Sequence, residues 1–86
     1  MTVHPDSECQ SSWVKYGEDR LLGRKIVRVR FLSVEEREEM GWSCRPVVIH
    51  LDDGTLIYPS RDDEGNDGGA LFGESPDGEG LAFPVL

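Results

Sequence analysis

Asp62, Asp63, Glu64 and Asp67 lie within six residues of one another, in a stretch that also holds Gly65, Asn66, Gly68 and Gly69. Carboxylate and amide oxygens packed this closely are the ligands a hard cation such as calcium takes. Counted from Asp63, the twelve residues DEGNDGGALFGE place acids first and fifth, Gly68 sixth and Glu74 twelfth. That partly matches a calcium loop of the helix–loop–helix kind, in which the sixth residue turns sharply and the twelfth binds through both oxygens. The third position, however, is Gly65, and Pro59 stands in the upstream flank where a helix is required. What remains is an irregular oxygen site drawing on Asp62, Asp63, Asn66, Asp67 and Glu74. Against it stands a self-contained loop, in which glycine-rich turns cap the Asp oxygens with backbone N–H groups and Arg61 supplies the nearest charge. The second reading needs no partner. It predicts a loop ordered from Arg61 to Asn66 and no cofactor.

Two other constellations are weaker. His4, Cys9, Cys44 and His50 are acceptable zinc ligands, but His-x4-Cys and Cys-x5-His are poor spacings and no Cys-x2-Cys knuckle is present. Two cysteines do not make a disulfide framework, and both are expected as free thiols in a reducing compartment. Ser60 beside Asp62 has only His50 to serve as its base, and no nucleophile elbow surrounds it. So short a chain also leaves little volume for a concave active site. No catalytic residue is assigned, and a non-catalytic protein is expected.

Arg28 and Arg30 alternate with Val27, Val29 and Phe31, which gives a half-buried strand with a basic outer face. With Arg61 they are the candidate cationic binding residues. Phosphate is a poor guess for their partner. Residues 1–51 carry balanced charge, whereas residues 52–86 hold nine acids against Arg61 alone, so the whole net charge of −8 sits there. A field of that sign repels nucleic acid, and neighbouring acids are nearer partners for the arginines.

These residues need elements to hold them, and 86 residues allow one small domain. No apolar run approaches a membrane span and the N-terminus lacks a signal pattern, so the expected location is cytoplasmic. Residues 1–17 read as an irregular arm, with Trp13 and Tyr16 packed down on the core and one helical turn near Glu18. Residues 18–86 form the domain. Strands are expected near 25–32, 46–52, 55–59, 70–73 and 80–85. Ser33 and Glu36 form a capping box that opens a helix over 34–40, stopped by Gly41. A two-residue Asp53-Gly54 loop would set Leu51 against Leu56 and Ile49 against Tyr58. The fold class is therefore α+β, mainly antiparallel β: a small five-stranded bent sheet or SH3-like barrel or roll with one short helix. Trp13, Val27, Val29, Phe31, Ile49, Leu51, Leu56, Tyr58, Leu71, Phe72, Leu81 and Phe83 are the expected core.

The segments LDDGT, PSRDDEGN and GALFG, in this order, resemble parts of small uncharacterised bacterial β-rich proteins. The resemblance covers about residues 20–86. It implies that hairpin and loop form one unit, and it brings no activity or site residues. The function expected is a protein-interaction module that docks another protein. The competing class is a cation-binding protein using loop 62–74.

Overall fold

The computed structural model describes residues 7–86, with side chains from residue 10 onward. The elements in order are α1 (Ser7–Leu21), β1 (Ile26–Phe31), α2 (Val34–Met40), β2 (Val47–Leu51), β3 (Leu56–Ile57), β4 (Leu71–Glu74) and β5 (Gly80–Phe83). The described residues are α+β with five antiparallel strands, but these divide into two sheets, β1-β2-β3 and β4-β5. This corrects the single five-stranded bent sheet, and the strands close no barrel among the described residues. β3 is two residues long, and Pro59, which cannot donate to a ladder, carries the chain out of the sheet before β4 begins. Among the described residues no helix is long and apolar enough to cross a membrane.

A second correction concerns the arm. Residues 7–17 are helical and belong to α1, while residues 1–6 lie outside the described residues. The helix lacks an apolar stripe, so periodicity alone does not reveal it. Its supports are local pairs at helical spacing. Trp13 meets Tyr16 edge to face with ring centres 5.4 Å apart, Arg20 stacks 4.6 Å over Tyr16, and Lys15 bonds Asp19 at 3.2 Å. Gly23, at φ +78°, ends the turn that follows, as expected of a glycine stop. Trp13 does not pack on a core; it is 67% exposed.

The capping box forms as read. Glu36 N–H donates to Ser33 Oγ at 3.1 Å, and Ser33 N–H donates to Glu36 Oε1 at 2.9 Å. At the far end Gly41, at φ +72°, donates to Glu38 O while Trp42 N–H reaches back to Arg37 O. These paired bonds close α2 and deliver Trp42 to the sheet.

The hairpin keeps its strands but not its register. Leu51 N–H donates to Thr55 O at 2.9 Å and Gly54 N–H to Leu51 O at 3.1 Å, with Gly54 at φ +91°. That is a three-residue loop with a glycine bulge, locked by Asp53 Oδ1 accepting from Thr55 N–H at 3.0 Å. Ile49 therefore faces Ile57, and His50 faces Leu56. The one-residue slip exchanges the faces of Leu56 and Ile57. The same device recurs at the β4–β5 turn, where Ser75 N–H bonds Glu79 O and Gly78, at φ +87°, bonds Ser75 O.

The main sheet is partly covered on both faces, with Val48 buried on one side of β2 and Val47 and Leu51 on the other. Arg28, Arg30, Val48, His50 and Leu56 share one face, and Val29, Phe31, Val47, Ile49 and Ile57 share the other. The arginine face is the one packed over near α2. Val48 is fully buried there with Leu32 and Trp42. Arg30 tolerates this because Glu36 of α2 pairs with it. Val27 and Val29, expected inside, are 62% and 57% exposed. The buried core is Leu32, Trp42, Val47, Val48 and Leu51, with Pro46 beside them, so of the expected core only Leu51 is fully buried. β5 is exposed throughout, and the strand tips leave Phe72 77% exposed.

Candidate functional site

The acidic loop is built on a narrow neck. Ser60 and Gly68 form an antiparallel bridge, Arg61 N–H donates to Asp67 O at 3.0 Å, and Gly69 N–H donates to Pro59 O at 3.1 Å. Gly68 is required by space: a Cβ there would lie 2.7 Å from Pro46 Cδ and 2.9 Å from Cys44 O. Ser60 Oγ, 2.7 Å from Asp62 O and 3.1 Å from Asp67 O, ties both ends from inside. Trp42 Nε1–H donates to Gly65 O at 2.8 Å and seats the loop on the core.

Inside this frame the carboxylates are already engaged. Asp62 Oδ1 accepts from Glu64 N–H at 3.1 Å and Asn66 N–H at 3.2 Å, and its Oδ2 accepts from Asn66 Nδ2 at 2.9 Å. Asp67 Oδ1 accepts three backbone N–H groups, from Ser43 at 2.9 Å, Cys44 at 3.0 Å and Gly68 at 2.8 Å. Donors aimed at the charged form hold both groups below the ordinary carboxylate range: chiefly the Asn66 side chain at Asp62, and chiefly the Cys44 N–H at Asp67. Arg61 Nε lies 3.7 Å from Asp62, an exposed and secondary contact. The two aspartates thus face separate sets of donors. Asp63 is exposed, and Glu74 sits on β4. Among the described residues no three His, Cys, Asp or Glu side chains gather as a metal site would require. His4 lies outside the described residues, as does the side chain of Cys9, and Cys44 is a free thiol.

The arginine strand separates into two roles. Arg30 meets Glu36 in a two-point pair, Nη1 to Oε1 at 2.8 Å and Nη2 to Oε2 at 3.1 Å. Its Nε–H donates to His50 Nε2 at 2.9 Å, which leaves the ring proton of a neutral His50 on Nδ1. The Arg30 guanidinium and the Ser33 N–H hold the Glu36 carboxyl down to about 2. Arg30 is therefore structural. Arg28, by contrast, is exposed and forms no ion pair among the described residues. The Ser60–Asp62–His50 arrangement is not assembled, since Ser60 is committed to loop carbonyls and His50 to Arg30.

What the structure offers instead is uncovered apolar surface. A groove of about 250 Å³ lies on the valine face, lined by Leu21, Ile49, Ile57, Tyr58, Pro59 and Leu71. Val29 adjoins Ile49 on that face, and the β1 edge beside it is open. Sequence reasoning assigned Val29, Ile49, Tyr58 and Leu71 of this surface to a core. Strands with apolar residues on both faces need two covering layers, and the chain has few apolar residues left to build a second. Comparison with protein-family models, with curated proteins and with solved structures returns no match.

Proposed function

We propose that this chain is a non-catalytic protein-interaction module whose docking surface is the valine face of the three-stranded sheet. One observation carries the reading: Val27 and Val29 are more than half exposed on an open edge strand, next to an apolar groove. Apolar surface rimmed by charge on a small protein marks a place where something binds. An open strand edge adds main-chain donors and acceptors to that surface. Cation binding by loop 62–74 has less support, because the Asp62 and Asp67 oxygens already accept from the loop's own donors. The test is capture by the immobilised chain at low salt, with Val29→Glu as control and circular dichroism to show that the variant folds. Retention of a partner by the wild type and its loss with Val29→Glu is the expected result. No retained partner, together with a monomer at every concentration, would sink the reading.

A further inference from the structure

We infer that the partner of this surface includes a second copy of the chain, with the acidic tip of the β4–β5 hairpin of one copy lying against the basic, apolar β1 side of the other. The inference rests on the reading of the chain as an interaction module and names the occupant. The hairpin is anchored at its root on both flanks, by the Ser60–Gly68 bridge and by reciprocal backbone bonds between Arg45 and Leu86 of 3.0 and 2.9 Å. Beyond the root both strands are exposed, Phe72, Gly73 and Glu74 on one and Gly80 to Phe83 on the other. The tip carries Glu74, Asp77 and Glu79, none of which forms an ion pair among the described residues. The β1 edge carries Lys25 and Arg28, exposed and equally without an ion pair, with Arg28 on the face opposite to Val29. The unpaired charges of the tip and of the β1 edge are therefore opposite in sign, and the exposed Val27 and Val29 lie along that same edge.

Pairing of β1 with β1 of a second copy is disfavoured, because an antiparallel match of IVRVRF with itself sets arginine columns side by side. The hairpin tip brings carboxylates and Phe72 to the same place. In a two-fold dimer each copy supplies one tip and one β1 side, so the contact is made twice and closes.

The test uses charge reversal in the full chain, read by sedimentation. Wild type is expected to dimerise. Lys25→Glu/Arg28→Glu and Glu74→Lys/Glu79→Lys should each self-associate at least about tenfold more weakly, since each sets like charges against one another. A one-to-one mixture of the two variants restores opposite charge at both contacts and should form a heterodimer. A wild type that stays monomeric at about 1 mM would overturn the inference, as would variants that dimerise unchanged or a mixture that stays monomeric. If either variant fails to fold, salt decides on the wild type alone: the dimer should weaken as ionic strength rises, and an unchanged constant counts against it. A monomeric wild type that still captures a partner through Val29 would remove only the second copy as occupant and leave the docking surface standing.

Discussion

Glu36 performs two tasks with one carboxylate: it caps the Ser33 N–H and it neutralises Arg30 where that side chain enters the covered face. Its carboxyl ionises near 2 in the folded chain against 4.5 when unpaired. Because the folded value is the lower one, the unfolded chain binds the proton first, so this group stabilises the fold above about pH 4.5 and loses that contribution as pH falls toward 2. Urea midpoints measured from pH 6 to pH 2 should therefore fall through this window, and Glu36→Gln should flatten the fall while lowering the midpoint at neutral pH. A variant with an unaltered pH slope would show that the pair is not formed in solution. At Asp62 and Asp67 the same reasoning bears on metal. A cation would have to compete with donors already bound to their oxygens, so calcium titration followed by NMR should give weak, unsaturating shifts spread over many carboxylates. Saturable shifts confined to residues 62–74 at sub-millimolar calcium would restore the cation reading. At this scale the loop was legible, because Asp, Asn and Gly at short range have few ways to satisfy one another. The Arg30–Glu36 pair was legible only as a class, since its members come from different elements. Which arginine turns inward depends on the register of β1 and the position of α2, and neither is written in the spacing of residues 28–36.

At the scale of the elements, signals that complete themselves within a turn held, and those that depend on a neighbour did not. Helix α2 begins at Ser33 and stops at Gly41 because both caps are made of residues within five positions of their partners. Ser33→Ala should cost about 1 kcal/mol, and in a domain of this size lower the melting temperature by about 4–8 °C, since it removes the acceptor for Glu36 N–H. The readout is thermal unfolding followed by circular dichroism, and no change would mean that α2 is held by Arg30 alone. The hairpin shows the other case. Asp53-Gly54 serves a two-residue or a three-residue loop equally well, and the choice is made by the Asp53–Thr55 bond and the bulge at Gly54. That single residue of loop length decided which of Leu56 and Ile57 joined the valine face. Helix α1 was missed for a related reason. Its charges and aromatics support one another at helical spacing, yet none of this produces the apolar stripe by which a helix is usually recognised.

At the scale of the molecule, the fold class was legible from alternation and turns, but the layers were not. The core gathers at the junction of three segments, around Leu32, Trp42 and the Pro46–Val48 start of β2. Strand alternation says which residues share a face, but not which face will be covered when layers are few. Near α2 the arginine face is covered by Leu32 and Trp42, and Glu36 neutralises Arg30 there. On the other face Val47 and Leu51 are buried, and it is the β1 part, Val27 and Val29, that is left open. A chain with so small a core gains stability from whatever covers that face. If the cover is a second copy, folding and association are linked, and unfolding must depend on protein concentration. For a dimer that unfolds to two chains, each tenfold rise in concentration is worth about 1.4 kcal/mol per dimer. Spread over the unfolding entropy of two chains of this length, that raises the melting temperature by about 4 °C per decade. Calorimetric scans from about 5 µM to about 500 µM at low salt should therefore show a rise of about 8 °C, diminished by Glu74→Lys/Glu79→Lys. A melting temperature independent of concentration would mean that the valine face contributes nothing between copies, and that its cover is a different protein.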